Sequence, residues 1–233
     1  MSHTLNFKKF SFLVYGLGST GLSIIRYFKK RKIRDFYVWD DNIKLRKKFG
    51  FKKVKNLHNT LKNVDYIILS PGISLKNTKH KKDLNRYKKK IITDIDLLYL
   101  TNRNFKSIVV TGSNGKSTTC KIIYHLLKEN NFDVLVGGNI GKPVLDFKIK
   151  KNIFLIIEAS SFQLSHSKFI HPNYSILLNI TNDHLDWHGS KQKYLQSKLK
   201  IFQLQKKNDF AFLYKDLKHI FIKKRYLSKL VSL

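Results

Sequence analysis

A chain of 233 residues, 42% of them hydrophobic, can bury the core of one large or two small domains, which argues against wholesale disorder. Its one cysteine, Cys120, excludes a disulfide framework and a cysteine-based zinc site, and fits a reducing compartment. The longest apolar runs, such as 153–157, are too short to span a membrane, and the N-terminus does not resemble a signal peptide. We therefore expect a soluble, cytoplasmic protein.

The formal net charge of +31 would suit a nucleic-acid or anionic-membrane partner. However, 39 of the 46 basic residues are lysine, whereas nucleic-acid binders favour arginine for bidentate contacts. Only two alanines are present, so compositional drift towards AT-rich codons explains the lysine excess better. We expect no membrane partner and no specific nucleic-acid partner, and keep a basic nucleic-acid-binding protein as an alternative.

Short apolar strands alternate with amphipathic helical stretches, which predicts an α/β protein with parallel sheets. In the first half we expect a helix at 20–31, a short strand leading into a helix at 91–100, and strands at 10–16, 35–40 and 64–70. The polar stretch 101–104 predicts a boundary between domains 1–103 and 104–233. In the second half we expect helices at 116–130 and 191–205, and strands at 107–112, 133–138, 152–159, 174–180 and 209–214. The last of these strands would leave an unpaired sheet edge.

The first glycine cluster, residues 16–21, has the pattern G-x-G-x-x-G between a predicted strand and a predicted helix. Glycines let the backbone approach a diphosphate, and a helix N-terminus offers free N–H groups and a positive dipole end. Asp40 follows Gly21 by nineteen residues, the spacing of a ribose-binding acid. The pattern predicts a dinucleotide-type ligand and keeps an NAD-dependent enzyme open. The alternative is a turn that needs glycine for its geometry alone.

The second glycine cluster lies in TGSNGKSTT, residues 111–119, and is shorter than the usual G-x-x-x-x-G-K-[ST] loop because Val110 replaces the first glycine. Lys116 can reach phosphate oxygens, Ser117 can bind Mg²⁺, and the backbone N–H groups can surround the phosphates. The strand before it and the helix after it are what this chemistry requires. The segment predicts a nucleotide-phosphate site, with a structural turn as the alternative.

Glu158 ends a strongly apolar predicted strand. In a parallel sheet that end faces the ligand crevice, so the carboxylate could hold a nucleotide-bound Mg²⁺. The alternative is an exposed acid that caps the next helix.

Segment 179–190 places Asp183, His184, Asp186 and His188 within six residues after another predicted strand. This density indicates a metal or phosphoryl site, better suited to Mg²⁺ than to zinc, or else a polar loop that caps the next helix. Nothing local distinguishes Lys198 from the other lysines around it.

Together these motifs resemble the Mur ligases, ATP-dependent enzymes of peptidoglycan synthesis. The resemblance rests on TGSNGKSTT, GGNIG (137–141), EASSFQL (158–164), NDHLDWHG (182–189) and YLQSKLKIF (194–202), with GLGSTG (16–21), WDD (39–41) and SPGI (70–73) extending it towards the N-terminus. The residues of the segments GGNIG and SSFQL favour the branch of the family that adds D-glutamate over the branch that adds diaminopimelate or lysine. Folylpolyglutamate synthase shares the short loop but not the later segments.

The resemblance implies a Rossmann-like N-terminal domain that holds the UDP moiety of UDP-N-acetylmuramoyl-L-alanine, followed by an incomplete P-loop-type ATP domain with a parallel sheet. The implied substrate contacts in the first domain are Gly18, Ser19, Thr20, Asp40, Asp41, Ser70 and Gly72. The implied ATP-phosphate contacts are Gly112, Ser113, Asn114, Gly115, Lys116, Ser117 and Thr118. Asn139, Ser160 and Tyr194 would line the muramoyl substrate and the reaction centre.

The resemblance also implies two Mg²⁺ sites, the first held by Ser117 and Glu158. His184 would hold the second together with Lys198, which the family carries as a carbamate. Lys116, Glu158, His184 and Lys198 are thus the implied catalytic residues. In the implied reaction, the substrate carboxylate attacks the γ-phosphate of ATP to give an acyl-phosphate, and the amine of D-glutamate then displaces phosphate.

The sequence departs from the family pattern in three ways. Asp41 and Asn42 replace a frequent Thr-Arg pair, and Trp187 stands where the family usually has arginine. The third departure is length, since the family has three domains and this sequence covers the first and a little over half of the second. We therefore expect weak or no ligase activity from this chain alone, unless a separate polypeptide supplies the missing domain. A remnant that only binds the UDP-sugar is the alternative.

Overall fold

The structure, a computed structural model, describes residues 7–49, 54, 56–102 and 104–232. The chain forms two compact units, Met1–Thr101 and Asn102–Leu233, which are described in turn. Within the described residues, no helix has both the length and the apolar character that crossing a membrane requires.

The first unit is built on a four-stranded parallel sheet. Its strands are β1 (Phe12–Tyr15), β2 (Phe36–Trp39), β3 (Tyr66–Leu69) and β4 (Ile91–Ile92), in the order β2-β1-β3-β4. Its helices are α1 (Ser19–Lys30), α2 (Ile43–Lys47), α3 (Leu57–Asn63), α4 (Lys81–Arg86) and α5 (Asp94–Thr101). The central strand β1 is buried along its whole length, which explains why its sequence is apolar without alternation.

Helices α2, α3 and α4 are not predicted by the sequence, because each is only five to seven residues long. Asparagine side chains begin two of them. Asn42 Oδ1 accepts a hydrogen bond from Lys44 N at 2.9 Å, and Asn56 Oδ1 accepts one from Asn59 N at 3.0 Å. Each bond satisfies a backbone donor that has no partner within its own helix.

The second unit is built on a six-stranded sheet whose neighbouring strands are all parallel. Its strands are β5 (Phe105–Thr111), β6 (Val134–Gly138), β7 (Ile153–Glu158), β8 (Tyr174–Leu177), β9 (Phe210–Leu213) and β10 (Lys229–Ser232), in the order β10-β9-β8-β5-β7-β6. Its helices are α6 (Lys116–Glu129), α7 (Ser161–His166), α8 (Leu185–His188), α9 (Lys191–Gln203) and α10 (Lys218–Lys223). Because β5 lies between β7 and β8, the carboxyl ends of these three strands are neighbours.

The far edge of this sheet differs from the sequence-based prediction. The sequence predicts that the strand at 209–214 is the last one and leaves an unpaired edge, and this prediction is wrong. Strand β10 pairs with β9 along its length, from Lys229 opposite Phe210 to Ser232 opposite Leu213. The first and last residues of β10 are exposed and the two between them are only partly buried. Its sequence therefore has little of the apolar alternation that indicates a strand.

Candidate functional site

The loop between β5 and α6 has the backbone geometry of a phosphate-binding loop. Gly115 precedes α6 with φ of 80°, a left-handed conformation that glycine adopts without strain. Lys116 is the first residue of α6, and its Nζ donates to the carbonyl oxygens of Gly112 at 2.9 Å and Ser113 at 2.7 Å. The amine therefore lies across the loop, while Thr118 is exposed in the first helical turn. Anions are stabilised at such a helix N-terminus by the backbone N–H groups.

Asn179, which the sequence analysis did not single out, fixes the shape of this loop. Its Oδ1 accepts a hydrogen bond from Asn114 N at 2.9 Å, its Nδ2 donates to Asn114 O at 3.2 Å, and its carbonyl accepts from Ser113 N at 3.1 Å. The hydroxyl of Ser113 in turn accepts a hydrogen bond from Thr181 N at 2.9 Å. The one available signal is an asparagine two residues after the end of β8, where the topology places it beside the loop.

Glu158 ends β7 and is 3% exposed, so the alternative of an exposed capping acid does not hold. Its Oε2 accepts a hydrogen bond from Ser117 Oγ at 2.8 Å, and its Oε1 accepts one from Asn139 Nδ2 at 3.1 Å. The structure thus brings the carboxylate and the loop serine together across neighbouring strands. Oxygen ligands of this kind suit Mg²⁺, which usually keeps several waters and binds phosphate oxygens besides one or two carboxylates.

Lys198 is almost fully buried, with 1% of its surface exposed, and its Nζ donates to Gly112 O at 2.7 Å. Burial lowers the pKa of this amine to about 7, helped by the positive charge of Lys116 and opposed by Asp183. The Nζ also lies 4.6 Å from the ring centre of Tyr194, whose hydroxyl is 2.9 Å from Ser113 Oγ. Lys198 therefore reaches the loop from α9, although its sequence context did not distinguish it.

His184 lies further out than the other predicted metal ligands. It has φ of 52° at the start of α8, its side chain is 45% exposed, and its Nε2 is 3.4 Å from Asp183 Oδ2. No hydrogen bond or ion pair joins it to Glu158 or Lys198 within the part of the chain that the structure describes. Nor do the described residues contain a group of three or more His, Cys, Asp or Glu side chains arranged to hold a metal ion. Ser117 and Glu158 therefore offer oxygen ligands that fit one Mg²⁺.

Aromatic side chains support His184 from α7 and α8. The ring of Phe162 lies 4.7 Å from the His184 ring and is stacked on His188, with an interplanar angle of 7°. His188 is buried, and its Nε2 lies 2.9 Å from Ser161 Oγ. Trp187 contacts the same phenylalanine at 4.9 Å, so the tryptophan that replaces the family's arginine packs within this cluster.

Ser160 has a structural role, separate from the substrate contact that the family resemblance implies. It begins α7 in a capping box, in which its Oγ accepts from Gln163 N at 3.3 Å and its own N donates to Gln163 Oε1 at 3.1 Å. The segment SSFQL therefore specifies a helix start directly after Glu158.

In the first unit, close contacts bind the glycine loop to the strands around it. A Cβ at Gly21 would lie 1.9 Å from Gly16 O, so only glycine fits there. Ser70 Oγ donates to the same carbonyl at 2.9 Å. Both carboxylate oxygens of Asp40 accept hydrogen bonds from backbone N–H groups, one from Leu17 N at 2.7 Å and the other from Asn42 N at 2.8 Å.

Other predicted substrate residues are open to solvent. Gly18 precedes α1, and a Cβ added there, or at Gly72, would meet no atom within 4 Å. Ser19 is exposed and Thr20 is half-buried in the first turn of α1. No side-chain cap to α1 is present among the described residues, so its first N–H groups can receive an anion.

Asp41 is held from three sides. Its Oδ1 accepts hydrogen bonds from Tyr15 Oη at 2.7 Å and Trp39 Nε1 at 3.1 Å, and its Oδ2 accepts one from Thr78 Oγ1 at 2.9 Å. Burial raises the pKa of this carboxyl, but the three hydrogen bonds and the nearby His80 outweigh burial, so the pKa falls below its ordinary value. Burial, together with the bond to Asp41, raises the pKa of Tyr15.

These features define an α/β protein with two parallel sheets and a phosphate-binding loop at a helix N-terminus. Two family models match the chain, the Mur ligase middle domain over residues 110–231 and the MurD-like N-terminal domain of Mur ligases over residues 10–92. The chain belongs to the Mur ligase family, as the sequence motifs indicated.

Relatives with high similarity carry the name UDP-N-acetylmuramoylalanine–D-glutamate ligase. The protein from Wolbachia pipientis wMel is 41% identical over 201 residues, which cover 84% of this chain and 39% of the relative. The protein from Rickettsia felis is 41% identical over 203 residues, or 85% of this chain and 44% of the relative. The protein from Aquifex aeolicus is 35% identical, with coverages of 87% and 46%. The chain thus spans less than half the length of these relatives.

Solved structures support the predicted α/β fold class. The UDP-N-acetylmuramate:L-alanyl-gamma-D-glutamyl-meso-diaminopimelate ligase from Neisseria meningitides gives a TM-score of 0.56 at 13% identity, covering 96% of this chain and 77% of that one. A MurF ligase from Thermotoga maritima, solved in complex with ADP, gives 0.51 at 21% identity, covering 98% and 49%. At these identities the likeness concerns the fold alone.

Proposed function

We propose that this chain provides the UDP-substrate-binding and ATP-binding parts of a ligase that adds D-glutamate to UDP-N-acetylmuramoyl-L-alanine in the cytoplasm. Residues 1–103 would form the substrate domain and residues 104–233 the ATP domain. The observation that carries the proposal is the contact between Ser117 Oγ and Glu158 Oε2 at 2.8 Å, directly beside Lys116. The names of the relatives supply the substrates.

The ATP phosphates would lie on residues 112–118. The N–H groups at the start of α6 and the Lys116 amine would bind their oxygens, so that the γ-phosphate is oriented and its charge is shielded. Ser117 and Glu158 would hold one Mg²⁺ and His184, with Lys198, a second. Mg²⁺, when bound, neutralises phosphate charge and orients the phosphoryl group for transfer.

Lys198 would act as a carbamate. Its buried amine, with a pKa of about 7, is largely neutral in mildly alkaline solution. The nitrogen lone pair of the neutral amine can form a bond to the carbon of CO₂, and one N–H proton leaves to solvent. The product is an anion, which fits the role of a metal ligand better than an ammonium group does.

In the proposed reaction, a carboxylate oxygen of the muramoyl-alanine substrate attacks the γ-phosphorus and ADP leaves. The amine of D-glutamate then attacks the acyl carbon of the resulting acyl-phosphate, inorganic phosphate leaves, and the ammonium protons are lost to solvent. Asn139, Ser160 and Tyr194 would orient the substrate, and positioning would contribute most of the rate enhancement. That this chain alone is a weak or inactive ligase stays a prediction.

Calorimetric titrations of the intact chain, first with UDP and then with Mg²⁺ and ADP, test the proposal. We expect both nucleotides to bind, and Lys116→Ala to weaken ADP binding without changing UDP binding. An ADP-release assay with both amino-acid substrates then measures turnover. UDP binding without Mg²⁺-dependent ADP binding would favour a remnant that only binds the UDP-sugar. Binding of neither nucleotide would refute the proposal.

A further inference from the structure

The side chain and the N–H group of Ser113 bind residues outside the phosphate loop. The side chain is only 6% exposed. Its Oγ accepts a hydrogen bond from Thr181 N at 2.9 Å and lies 2.9 Å from Tyr194 Oη, while its N donates to Asn179 O at 3.1 Å. A serine hydroxyl has one proton and two lone pairs, so these two contacts leave it at most one further hydrogen bond. Ser113 is therefore poorly placed to bind a phosphate itself.

The phosphate loop thus has two sides with different partners. Asn114 N, like Ser113 N, is already used by Asn179, whose Oδ1 accepts its hydrogen bond at 2.9 Å. The N–H groups of residues 115–118, by contrast, lie at the start of α6, where the first N–H groups have no partner within the helix. A nucleotide phosphate would therefore bind residues 115–118, and Ser113 and Asn114 would hold the loop to the chain that follows β8.

The two partners of Ser113 Oγ belong to the parts of the chain that carry other proposed site residues. Thr181 lies three residues before His184. Tyr194 lies one helical turn before Lys198 on α9, and the Lys198 Nζ is 4.6 Å from the centre of the tyrosine ring. The rings of Tyr194 and His184 are themselves 6.3 Å apart. One buried hydroxyl thus joins the phosphate loop to both of these parts of the chain.

We infer that Ser113 is a positioning residue, which holds Thr181 and Tyr194 in a fixed relation to a nucleotide bound at residues 115–118. The inference rests on the proposed ATP-binding function of the second unit. A nucleotide that orders the loop would restrict Ser113, and the two hydrogen bonds of its hydroxyl would restrict Thr181 and Tyr194 in turn. The phosphoryl group and the residues proposed to surround the substrate would thereby be held in one arrangement.

Amide hydrogen exchange of the intact chain, measured with and without Mg²⁺ and ADP, tests the inference. In wild type we expect the nucleotide to slow exchange at Thr181 about threefold or more. Ser113→Ala removes the acceptor of the Thr181 N–H, so exchange at Thr181 should rise about fivefold or more in the free chain and should no longer respond to ADP. Its ADP affinity should change by less than about threefold, because the N–H groups of residues 115–118 and the Lys116 amine remain.

Two variants serve as comparisons. Tyr194→Phe loses only the hydroxyl that contacts Ser113, and should leave exchange at Thr181 in the free chain near wild type. Ser197→Ala is the matched control, because this buried serine donates to Tyr194 O within its own helix. It should follow wild type in both exchange and ADP binding. Thermal unfolding shows whether each variant is folded, and Ser113→Cys, whose sulfur is a weak acceptor, replaces alanine if that variant unfolds.

The outcomes separate the two claims. If the wild-type chain does not bind ADP, the proposed function of the second unit fails. If ADP binds but leaves exchange at Thr181 unchanged in wild type, or slows it equally in Ser113→Ala, only the positioning role is refuted. A loss of ADP affinity of about tenfold or more in Ser113→Ala also refutes that role, since the hydroxyl would then bind phosphate directly. Faster exchange at Thr181 in Ser197→Ala or Tyr194→Phe, equal to that in Ser113→Ala, would assign the effect to loosened packing of α9 and refute it as well.

Discussion

Replacement of Lys198 by methionine should make the second unit more stable in acid and no more stable in alkali. In the unfolded chain a lysine titrates near 10.4, whereas burial lowers the pKa of folded Lys198 to about 7. Between these values the unfolded chain binds more protons, so stability rises with pH. The penalty for the buried charge is greatest below pH 7 and is gone above the unfolded pKa. Between pH 6 and pH 9.5 this difference in proton binding raises the free energy of unfolding of the wild-type chain by roughly 3 kcal/mol.

Lys198→Met removes that penalty together with the hydrogen bond to Gly112 O, which contributes about 1 kcal/mol. We therefore expect the variant to exceed wild type in unfolding free energy at pH 6, and the difference to vanish or reverse at pH 9.5. Urea unfolding in CO₂-free buffer, followed by Trp187 fluorescence in a Trp39→Phe background, measures the difference. Lys193→Met, an exposed site on the same helix, should follow wild type. A difference for Lys198→Met that does not change with pH would refute the reasoning.

Three further predictions concern other contacts. Glu158→Gln keeps the side chain's shape but removes the charge beside Ser117, so Mg²⁺-dependent ADP binding should weaken about tenfold; an equal loss without Mg²⁺ would contradict this. Gly21→Ala places Cβ 1.9 Å from Gly16 O and should lower the free energy of unfolding of the first unit in urea by about 2 kcal/mol or more; a variant as stable as wild type would contradict this. Ser160→Ala should lower the free energy of unfolding of the second unit by about 1 kcal/mol in the same assay, and Ser160→Thr should restore most of that stability. If Ser160→Thr restores none of it, Ser160 has a role beyond capping.

The sequence predicts well where an element is long and buried. The predicted bounds of strand β7 agree with the structure within a residue or two at each end, because Ile153–Glu158 is apolar and buried almost throughout. The same pattern places Glu158 at the carboxyl end of its strand, and the adjacency of β7 and β5 then brings it to Ser117. Local patterning and parallel topology together account for that contact.

Other features depend on tertiary contacts that no local pattern records. Lys198 resembles every other lysine around it in sequence, and its burial follows only from how α9 packs under the loop. Asn179 acts on the loop through hydrogen bonds that span 65 residues of sequence. Strand β10 escapes a periodicity argument because an edge strand with exposed ends has little apolar alternation.

The shortened phosphate loop has a physical origin and a chemical consequence. Val110, where a longer loop would have its first glycine, is fully buried and pairs with neighbouring strands on both sides, and β5 continues to Thr111. The chain must then turn within residues 112–115, and the carbonyl of Gly112 accepts hydrogen bonds from two amines, Lys116 at 2.9 Å and Lys198 at 2.7 Å. Burial lowers the pKa of Lys198, and the positive charge of Lys116 on the same carbonyl lowers it further. We therefore expect Lys198 to be neutral in a larger fraction of molecules than an exposed lysine, and the neutral amine is the form that can react with CO₂.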